Sequence, residues 1–258
     1  MKIFSGCYLV WFRADRRREE ILDYWRTTHG QIANRIPAMQ EYLQHHLSQS
    51  DHGFWPALQG VGTEIPADWH VDGMTEIRFR SVWSAIVSGL FHTRGIIRDE
   101  QNIFDRVLGL LSTPRGANWW TGPYQPAVGS RAVVFVRARH EFRGTRLRHF
   151  IDEELVPALR SAGAMELRTH IFPSGSHLLH RTPAVRHDQP VNRAYACAIV
   201  IGARDRTALA QVLHSPVLAA TAEAQHRHCL AIHAYAVDHT YPLVLDGRPQ
   251  SAASPRRA

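Results

Sequence analysis

The same series of predicted strands and helices occurs twice along this 258-residue chain, and the duplication constrains its fold more than any other feature. Residues 2–112 follow the order strand, helix, strand, strand, helix, strand, judged from their apolar periodicity. Residues 132–237 repeat that order. Adding 125 to the residue number carries Trp25 to Phe150 and His45 to His170, so the similarity reaches individual positions. A repeat of this length decides the architecture.

Each series has the order of a ferredoxin-like β-α-β-β-α-β unit. Such a unit covers one face of its antiparallel sheet with helices and leaves the other face bare, and two units can bury their bare faces together. The sequence therefore predicts an α+β protein whose two ferredoxin-like repeats pair their sheets into a barrel within one chain. The predicted division is a first repeat at 1–113, a linker at 114–129, a second, divergent repeat at 130–245 and a disordered tail at 246–258.

The composition favours a folded protein with a large core, because 45% of its residues are hydrophobic. The net charge is +7, but the basic residues are scattered, so no nucleic-acid partner is expected. Cys7, Cys197 and Cys229 lie in apolar runs, which is typical of reduced, buried thiols. No stretch approaches ~20 consecutive apolar residues, and residues 1–6 lead directly into a strand pattern, unlike a secretory signal. We expect no membrane partner and a cytoplasmic location.

The helix before Pro37 carries two residue types suited to small-molecule chemistry. Apolar residues recur at spacings of three and four from Ile21 to Ile36, which predicts a helix with one buried face. Trp25 and His29 are four apart and therefore lie on the same side of that helix. An indole offers a flat apolar wall, and an imidazole exchanges protons near neutral pH.

The strand after this helix alternates between two faces. Tyr42, Gln44 and His46 share the face that we expect to meet the helix, whereas Glu41 and His45 share the other. The second set has counterparts of the same residue types in the second repeat, Glu166 and His170. We therefore expect the second set to form a polar network inside the barrel.

These stretches resemble the EthD family of dimeric α+β barrel proteins. The resemblance rests on Tyr24-Trp-Arg-Thr-Thr-His-Gly30, Tyr42-Leu-Gln-His-His46 and Asp99-Glu-Gln-Asn-Ile-Phe104, and it covers residues 2–113 clearly and 130–240 weakly. It implies ferredoxin-like units paired through their sheets, with ligands held between sheet and helices. Related barrels include polyketide cyclases, muconolactone isomerases, quinol-forming monooxygenases and EthD-type dehydratases. Many act on aromatic or polyketide substrates without a metal or organic cofactor, so the resemblance implies an aromatic small-molecule partner and no cofactor.

We predict that the first repeat carries the chemistry. His29 is the expected principal base, His46 its acid–base partner, and Tyr42 the hydrogen-bond donor to a developing oxyanion. The second repeat lacks both imidazoles and the phenol at the equivalent positions, Glu154, Leu167 and Ile171. It is therefore expected to be mainly scaffold.

Further substrate contacts are predicted from aromatic and polar residues of the first repeat: Trp25, Gln44, Trp55, Trp69, Trp83 and His92. Residues 49–70 are typical of a long binding loop or lid. A structural interpretation is open for several of these residues. Trp25 also suits a core position, His29 could brace the helix end before Gly30, and His92 matches His214 of the second repeat.

Seventeen histidines raise the question of a metal. His45 and His46 are adjacent on a strand and point to opposite faces, so they do not easily share an ion. No HExxH motif, paired CxxC or other strict ligand spacing occurs, and we predict no metal site. A P-loop, a dinucleotide-binding GxGxxG and a GxSxG elbow are also missing, which disfavours a nucleotide-dependent enzyme or an ordinary hydrolase. These absences leave haem open.

Three functional hypotheses follow. The first is a cofactor-independent lyase or isomerase that performs dehydration, cyclisation or retro-aldol cleavage on an aromatic or polyketide-like compound by histidine-based acid/base chemistry. The second is a cofactor-free monooxygenase that uses the phenolate of its own substrate to activate oxygen. The third is a non-catalytic protein that binds aromatic ligands. The substrate is open in each case, and so is the formation of a homodimer.

Overall fold

The computed structural model describes residues 4–37, 39–91, 94–112, 116–174 and 182–250. The first repeat contains β1 (Phe4–Phe12), α1 (Arg18–Tyr24, Trp25–His29 and Gly30–Ala33), β2 (Met39–His52), β3 (Gly73–Phe79), α2 (Val82–Phe91), α3 (Arg94–Glu100) and β4 (Phe104–Leu111). A short strand, β5 (Ala117–Trp119), follows within the predicted linker. The second repeat contains β6 (Ser130–Ala138), α4 (Thr145–Phe150, Ile151–Leu155 and Val156–Ser161), β7 (Glu166–Ile171), β8 (Cys197–Ala203), α5 (Arg206–Leu213), α6 (Pro216–Ala219), α7 (Ala222–His228) and β9 (Cys229–Leu245).

The strands form one antiparallel sheet in the order β4-β1-β3-β2-β9-β6-β8-β7-β5, with β10 (Arg248–Pro249) added beside β9. Within each repeat the order is fourth, first, third and second strand, which is that of a ferredoxin-like unit. The first repeat therefore contributes β4-β1-β3-β2, and the second contributes β9-β6-β8-β7. This arrangement confirms the predicted fold class of two ferredoxin-like repeats joined through their antiparallel sheets.

The last strand of the second repeat joins the two sheets. The sequence predicts a strand at 229–237, but β9 continues to Leu245 and pairs first with β6 and then with β2. The sequence did not predict this continuation because it contains Pro242, and proline is disfavoured inside a strand. The structure accommodates it opposite Leu43, where the register between β2 and β9 shifts.

The beginning of the predicted disordered tail is ordered. Asp246 and Gly247 both have positive φ angles, 49° and 73°, which suits the two-residue turn of a β-hairpin. The turn folds β10 back onto the end of β9, and Gln250 N donates a hydrogen bond to Leu243 O at 2.8 Å. The predicted disorder is therefore wrong for residues 246–250, and an Asp-Gly pair after a strand was the signal for this hairpin. The rest of that prediction lies outside the described residues.

Apolar side chains fill two kinds of layer. The layer between the two sheets contains side chains of both repeats, among them Leu9, Met74, Leu108, Val133, Phe135 and Tyr235. On the other face of each sheet, the helices cover a separate layer. In the first repeat that outer layer contains Ile21, Trp25, Phe104, Tyr42 and Ile77.

The long loop after the second strand of each repeat lies on the other repeat. In the first repeat, Gly53 N donates to Ala234 O at 2.7 Å, and Gly62 forms a parallel bridge with Ala231. In the second repeat, Arg186 forms the equivalent parallel bridge with Arg106 of β4. The loop predicted as a lid for the first repeat thus covers the second. The described residues 182–190 cover the first repeat instead.

All three cysteines are buried and free, as predicted. No helix in the described part of the chain is both long and apolar enough to cross a membrane.

Candidate active site

Helix α1 contains a π-helical turn at Trp25–His29. Such turns occur frequently at functional sites. Helix α4 of the second repeat has a π-helical turn at the corresponding place, Ile151–Leu155. The turn therefore belongs to the repeated architecture. The first repeat differs in the types of the two side chains that this turn buries, an indole (Trp25) and an imidazole (His29).

A carboxylate that the sequence analysis did not assign to the site holds His29. His29 Nδ1 lies 2.8 Å from Asp99 Oδ2, and its ring meets that of Phe104 edge-on at 5.7 Å between centroids. The other carboxylate oxygen of Asp99 accepts hydrogen bonds from the Tyr24 hydroxyl at 2.6 Å and from Asn102 Nδ2 at 3.3 Å. Helix α1 thus supplies the histidine and the tyrosine, and the end of α3 supplies the carboxylate between them.

The hydrogen bonds at Asp99 favour its ionised form. Burial alone would raise the pKa of the Asp99 carboxyl, but the hydrogen bonds from His29 and Tyr24 outweigh it and hold that pKa below its ordinary value. A carboxylate at Nδ1 orients the imidazole and selects the tautomer that carries its proton on Nδ1. Nε2 of His29 then has a lone pair that can accept a proton.

His46 has a different environment from the one predicted. Its ring stacks on Trp25 at 4.8 Å and 11°, and it meets Tyr241 of β9 at 4.8 Å between centroids. Its Nε2 is buried without a hydrogen-bond partner among the described residues. Burial lowers the pKa of His46 to about 3, so the ring is neutral at physiological pH. The structure therefore corrects the predicted pairing, because Asp99 is the partner of His29.

Acidification below about pH 6.5 is expected to destabilise the fold, because His46 is neutral when folded and an unfolded histidine has a pKa near ~6.5. Between that pH and about 3, the unfolded chain binds more protons at this position, so stability falls as pH falls. The expected cost approaches about 1.4 kcal/mol per pH unit. Urea unfolding between about pH 7 and about pH 5 measures it.

The variant His46→Phe keeps an aromatic ring in the stack and removes the titrating nitrogens, so its unfolding free energy should fall less steeply on acidification. Part of the slope should remain, because burial also lowers the pKa values of His70 and His233 to about 4. The same slope in wild type and variant would contradict the assignment to His46.

Gln44 and Tyr42 connect β2 to helix α1. Gln44 Nε2 donates to the carbonyl oxygen of Trp25 at 2.9 Å and to the Tyr42 hydroxyl at 3.4 Å. Gln44 Oε1 is buried without a partner in the described ranges. Burial raises the pKa of Tyr42 to about 12, so its hydroxyl keeps its proton and remains a donor. These contacts place the predicted strand face against the helix.

A methyl group at position 73 is expected to destabilise this layer. Gly73 pairs with His46 across the sheet, and an added Cβ would lie 2.5 Å from the indole ring of Trp25. The ring is fully buried, so it cannot move aside without repacking. Gly73→Ala should lower the free energy of unfolding by about 1–3 kcal/mol in urea titrations. The matched control is Gly62→Ala, whose Cβ would meet its nearest neighbour at an ordinary 3.6 Å. Equal losses in the two variants would contradict the prediction.

Three of the predicted substrate-contacting tryptophans lie away from His29. Trp55 packs among the helices of the second repeat, and its Nε1 donates to Gln225 Oε1 at 2.9 Å. Trp69 belongs to the layer between the sheets. Trp83 is 73% exposed at the start of α2. The remaining prediction of this kind, His92, lies outside the described residues.

A polar network crosses the layer between the sheets at the position predicted from β2. At its centre, Glu76 of β3 lies 2.7 Å from His170 Nε2 and 3.2 Å from His45 Nε2. The guanidinium of Arg168 lies 3.0 Å from the same carboxylate. His170 Nδ1 also lies 2.9 Å from the Ser5 hydroxyl. The network therefore connects strands β1, β2 and β3 of the first repeat to β7 of the second.

Further ion pairs extend the network at both ends. Arg168 Nη2 lies 2.6 Å from Glu166, which in turn pairs with Arg131 at 2.8 Å. Glu41 pairs with Arg78 at 3.0 Å. Each of these carboxylates is buried and lies next to a guanidinium, so the network supplies partners for its own charges. This arrangement favours a structural role over chemistry.

No group of three or more histidine, cysteine, aspartate or glutamate side chains within the described ranges is arranged to hold a metal ion.

Solved structures share this fold over nearly the whole chain. A candidate monooxygenase of Lactobacillus acidophilus NCFM is 9% identical, with a TM-score of 0.56 and coverage of 97% of this chain and 99% of its own. A candidate monooxygenase of Fusobacterium nucleatum is 5% identical, with a TM-score of 0.59 and coverage of 96% and 97%. An anthrone oxidase-like protein is 11% identical, with a TM-score of 0.58 and coverage of 98% of both chains. At such identities the likeness shows a shared fold alone.

No protein-family model matches the chain, and no curated protein matches its sequence. The resemblance to the EthD family therefore stays a prediction, whereas the dimeric α+β barrel fold is shown.

Two residues beside His29 were not assigned to the site from the sequence. Both lie in the motifs of the EthD resemblance, but neither had a predicted role. The available signal was the general need of a catalytic histidine for a carboxylate that orients it, which points to an acidic residue such as Asp99. Tyr241 was missed for another reason. It lies on the part of β9 that the sequence did not predict.

Proposed function

We propose that the first repeat is a cofactor-free oxygenase that acts on an acidic hydroxyaromatic small molecule. The observation that carries the proposal is the contact of 2.8 Å between His29 Nδ1 and Asp99. It supplies one oriented base in a layer of aromatic side chains. The shared fold with candidate monooxygenases and an anthrone oxidase-like protein supports the choice of reaction.

The reaction would begin with removal of a proton from the substrate by His29 Nε2. Asp99 stabilises the imidazolium that forms, because it stays ionised and hydrogen-bonded to Nδ1. Tyr42 keeps its hydroxyl proton and offers a hydrogen bond to the negative oxygen of the substrate anion. The rings of Phe104 and Trp25 supply an apolar environment around the base.

The substrate itself then supplies the electrons. Its carbanion or phenolate passes one electron to O₂, and the resulting radical and superoxide combine to form a carbon–oxygen bond. The peroxide anion takes the proton back from His29. At a substrate CH₂ group that lost its first proton to His29, the hydroperoxide then loses the second hydrogen of that carbon as a proton while its O–O bond breaks. The hydroxide released combines with this proton to form water, and the carbon becomes a carbonyl. One oxygen atom of O₂ enters the product and the other leaves as water, so no external reductant is required.

The environment of His46 favours this reaction over a lyase or isomerase. Dehydration, cyclisation and retro-aldol cleavage are helped by a separate acid and base, and His46 was the predicted acid. With a pKa lowered to about 3, it is a neutral imidazole at neutral pH and therefore a poor general acid. Oxygenation uses a single base that later returns the same proton. The hydrogen-bonded pair of His29 and Asp99 supplies such a base.

Oxygen uptake during turnover tests the proposal. The purified chain would be supplied with anthrone and other hydroxyaromatic compounds in air and under argon, with the His29→Ala variant measuring uncatalysed oxidation. We expect substrate consumption only in air, with equal amounts of O₂ used and product formed, and one ¹⁸O atom from ¹⁸O₂ in the new carbonyl. Turnover at the same rate under argon would replace the proposal with the lyase or isomerase. Binding without any turnover would favour the carrier.

A further inference from the structure

A cavity lies in the second half of the chain, away from the His29 helix. Its volume is about 250 Å³, and it lies where β4 and β7 end and β8 begins. The apolar part of its wall is formed by Leu110, Phe172, Val191, Tyr195 and Ala196. Tyr195 and Phe172 also belong to the layer between the sheets. The cavity is therefore an opening at one end of that layer, on the opposite face of the sheets from the helices.

Its volume suits a small ligand. The cavity is open to solvent at one side, so a ligand could enter it without a rearrangement of the core. It is slightly smaller than the ~300–1,000 Å³ typical of pockets for drug-sized ligands. A ligand with one aromatic ring or a short branched chain matches both the volume and the apolar wall.

Two polar groups of the wall lack partners. Arg143 Nε and Gln189 Nε2 are buried without a hydrogen-bond acceptor among the described residues. Buried donors of this kind are rare in folded proteins, and each one requires an explanation. Both groups are donors, so the missing partner is an acceptor.

The charges around the cavity are positive. Arg143 lines it, and Arg137 lies close enough to interact electrostatically with both Arg143 and Tyr195. No carboxylate lines the cavity, and neither of these two guanidinium groups has an ion-pair partner in the described ranges. Arg193, the third guanidinium nearby, pairs with Asp68 at 2.7 Å. An anion would both accept hydrogen bonds from these donors and offset the positive charge.

Two further titratable groups at this end of the layer, Tyr195 and His233, are uncharged near neutral pH. The Tyr195 hydroxyl lies 2.9 Å from His233 Nδ1. Burial raises the pKa of Tyr195 and lowers that of His233 to about 4. The guanidinium groups are therefore not neutralised from within the wall.

We propose that this cavity is a second ligand site, which binds a small monocarboxylate with an aromatic or branched apolar group. The carboxylate accepts hydrogen bonds from Arg143 and Gln189, and the apolar group lies against Phe172, Tyr195 and Leu110. Charge-assisted hydrogen bonds from a guanidinium to a carboxylate are stronger than those between neutral groups, which makes the charge of the ligand decisive. The site is independent of the chemistry proposed for His29.

Benzoate and benzamide, measured on the full chain, test the proposal. They share a ring and differ in charge. We expect benzoate to bind with a dissociation constant in the range of about 1 mM or below, and benzamide to bind at least about tenfold more weakly. Amide chemical shifts should change at residues 189–196 and not along helix α1. Benzamide binding as tight as benzoate, no benzoate binding at about 10 mM, or shifts confined to α1 would each overturn the proposal.

Two variants and a matched control locate the carboxylate. Arg143→Gln should weaken benzoate binding at least about tenfold, whereas benzamide binding should hardly change. Ala194→Trp, which fills the cavity from its half-buried rim, should weaken both ligands. The control is Arg146→Gln, which removes the same charge from an exposed neighbour whose guanidinium contacts the Glu141 carbonyl. Equal losses in the Arg143 and Arg146 variants would indicate a general charge effect and overturn the site. If a variant does not fold, the comparison of benzoate with benzamide on the wild-type chain decides whether the site requires a negative charge on its ligand.

Discussion

The His29→Ala variant is expected to lose about 10²–10⁴-fold of its turnover while binding the substrate with nearly unchanged affinity, because it removes the base and leaves the apolar walls.

A positioning role is expected for Asp99. In Asp99→Asn the amide can donate to Nδ1, which selects the imidazole tautomer that carries its proton on Nε2 and blocks proton removal. Without the carboxylate, the imidazolium that forms during the reaction is also less stable, so kcat should fall while KM changes little.

The matched control for His29 lies in the second repeat. Glu154, which the sequence repeat aligned with His29, is exposed on helix α4, so Glu154→Ala should leave turnover unchanged. Steady-state oxygen uptake at saturating substrate measures kcat for all three variants, and far-UV circular dichroism checks their folding. If His29→Ala turns over at the wild-type rate, His29 has a structural role. If Asp99→Asn raises KM and leaves kcat unchanged, the carboxylate does not act through His29.

The second large effect is expected at Arg168, which is fully buried between Glu76 and Glu166. Burial would raise the pKa of Glu76, but Arg168, His170 and His45 outweigh it and hold that pKa well below its ordinary value. Arg168→Met keeps most of the side-chain length and leaves two buried carboxylates without their shared cation. Removal of one partner from a buried ion network typically costs about 3–5 kcal/mol, and we expect a loss of that size in urea unfolding at neutral pH.

An exposed ion pair provides the comparison. Arg227 pairs with Glu223 at 2.7 Å on helix α7, and both side chains are more than half exposed. Arg227→Met should change the free energy of unfolding by less than about 1 kcal/mol. Adding Glu76→Gln and Glu166→Gln to Arg168→Met should restore part of the loss, because the uncompensated charges disappear. A loss for Arg168→Met no larger than that for Arg227→Met would contradict the proposed role of the network.

Local patterns predicted most of the fold. Strand alternation placed Tyr42 and His46 against the helix and His45 against the other sheet, because side chains of a strand point alternately to its two faces. The internal repeat predicted the pairing of two sheets. The pattern did not show how the sheets join, since a proline within β9 made its second half resemble a loop. Such a junction depends on a register shift between distant strands, which no local periodicity records.

The candidate site was predicted less completely. The helix pattern selected His29 and Trp25 because they share a helix face, but it carried no information on what packs against that face. Asp99 reaches His29 from another helix, whereas His46 stacks on Trp25. Trp55 and Trp69 were predicted as substrate contacts, but Trp55 packs in the second repeat and Trp69 in the layer between the sheets. Both lie on a loop, and a loop carries no periodicity that could have revealed where they pack.

The long loop of each repeat covers part of the other repeat. The second repeat therefore still needs its loop although it lacks the imidazoles, because that loop packs on the first repeat. Substitutions within residues 182–190 alter the surroundings of the His29 helix although they belong to the repeat without the imidazoles. In the proposed reaction, residues 182–190 of the second repeat would shape the space around the substrate, whereas His29 of the first repeat would supply the base. Exchanging that loop between related chains should then change which substrate is accepted without removing the base.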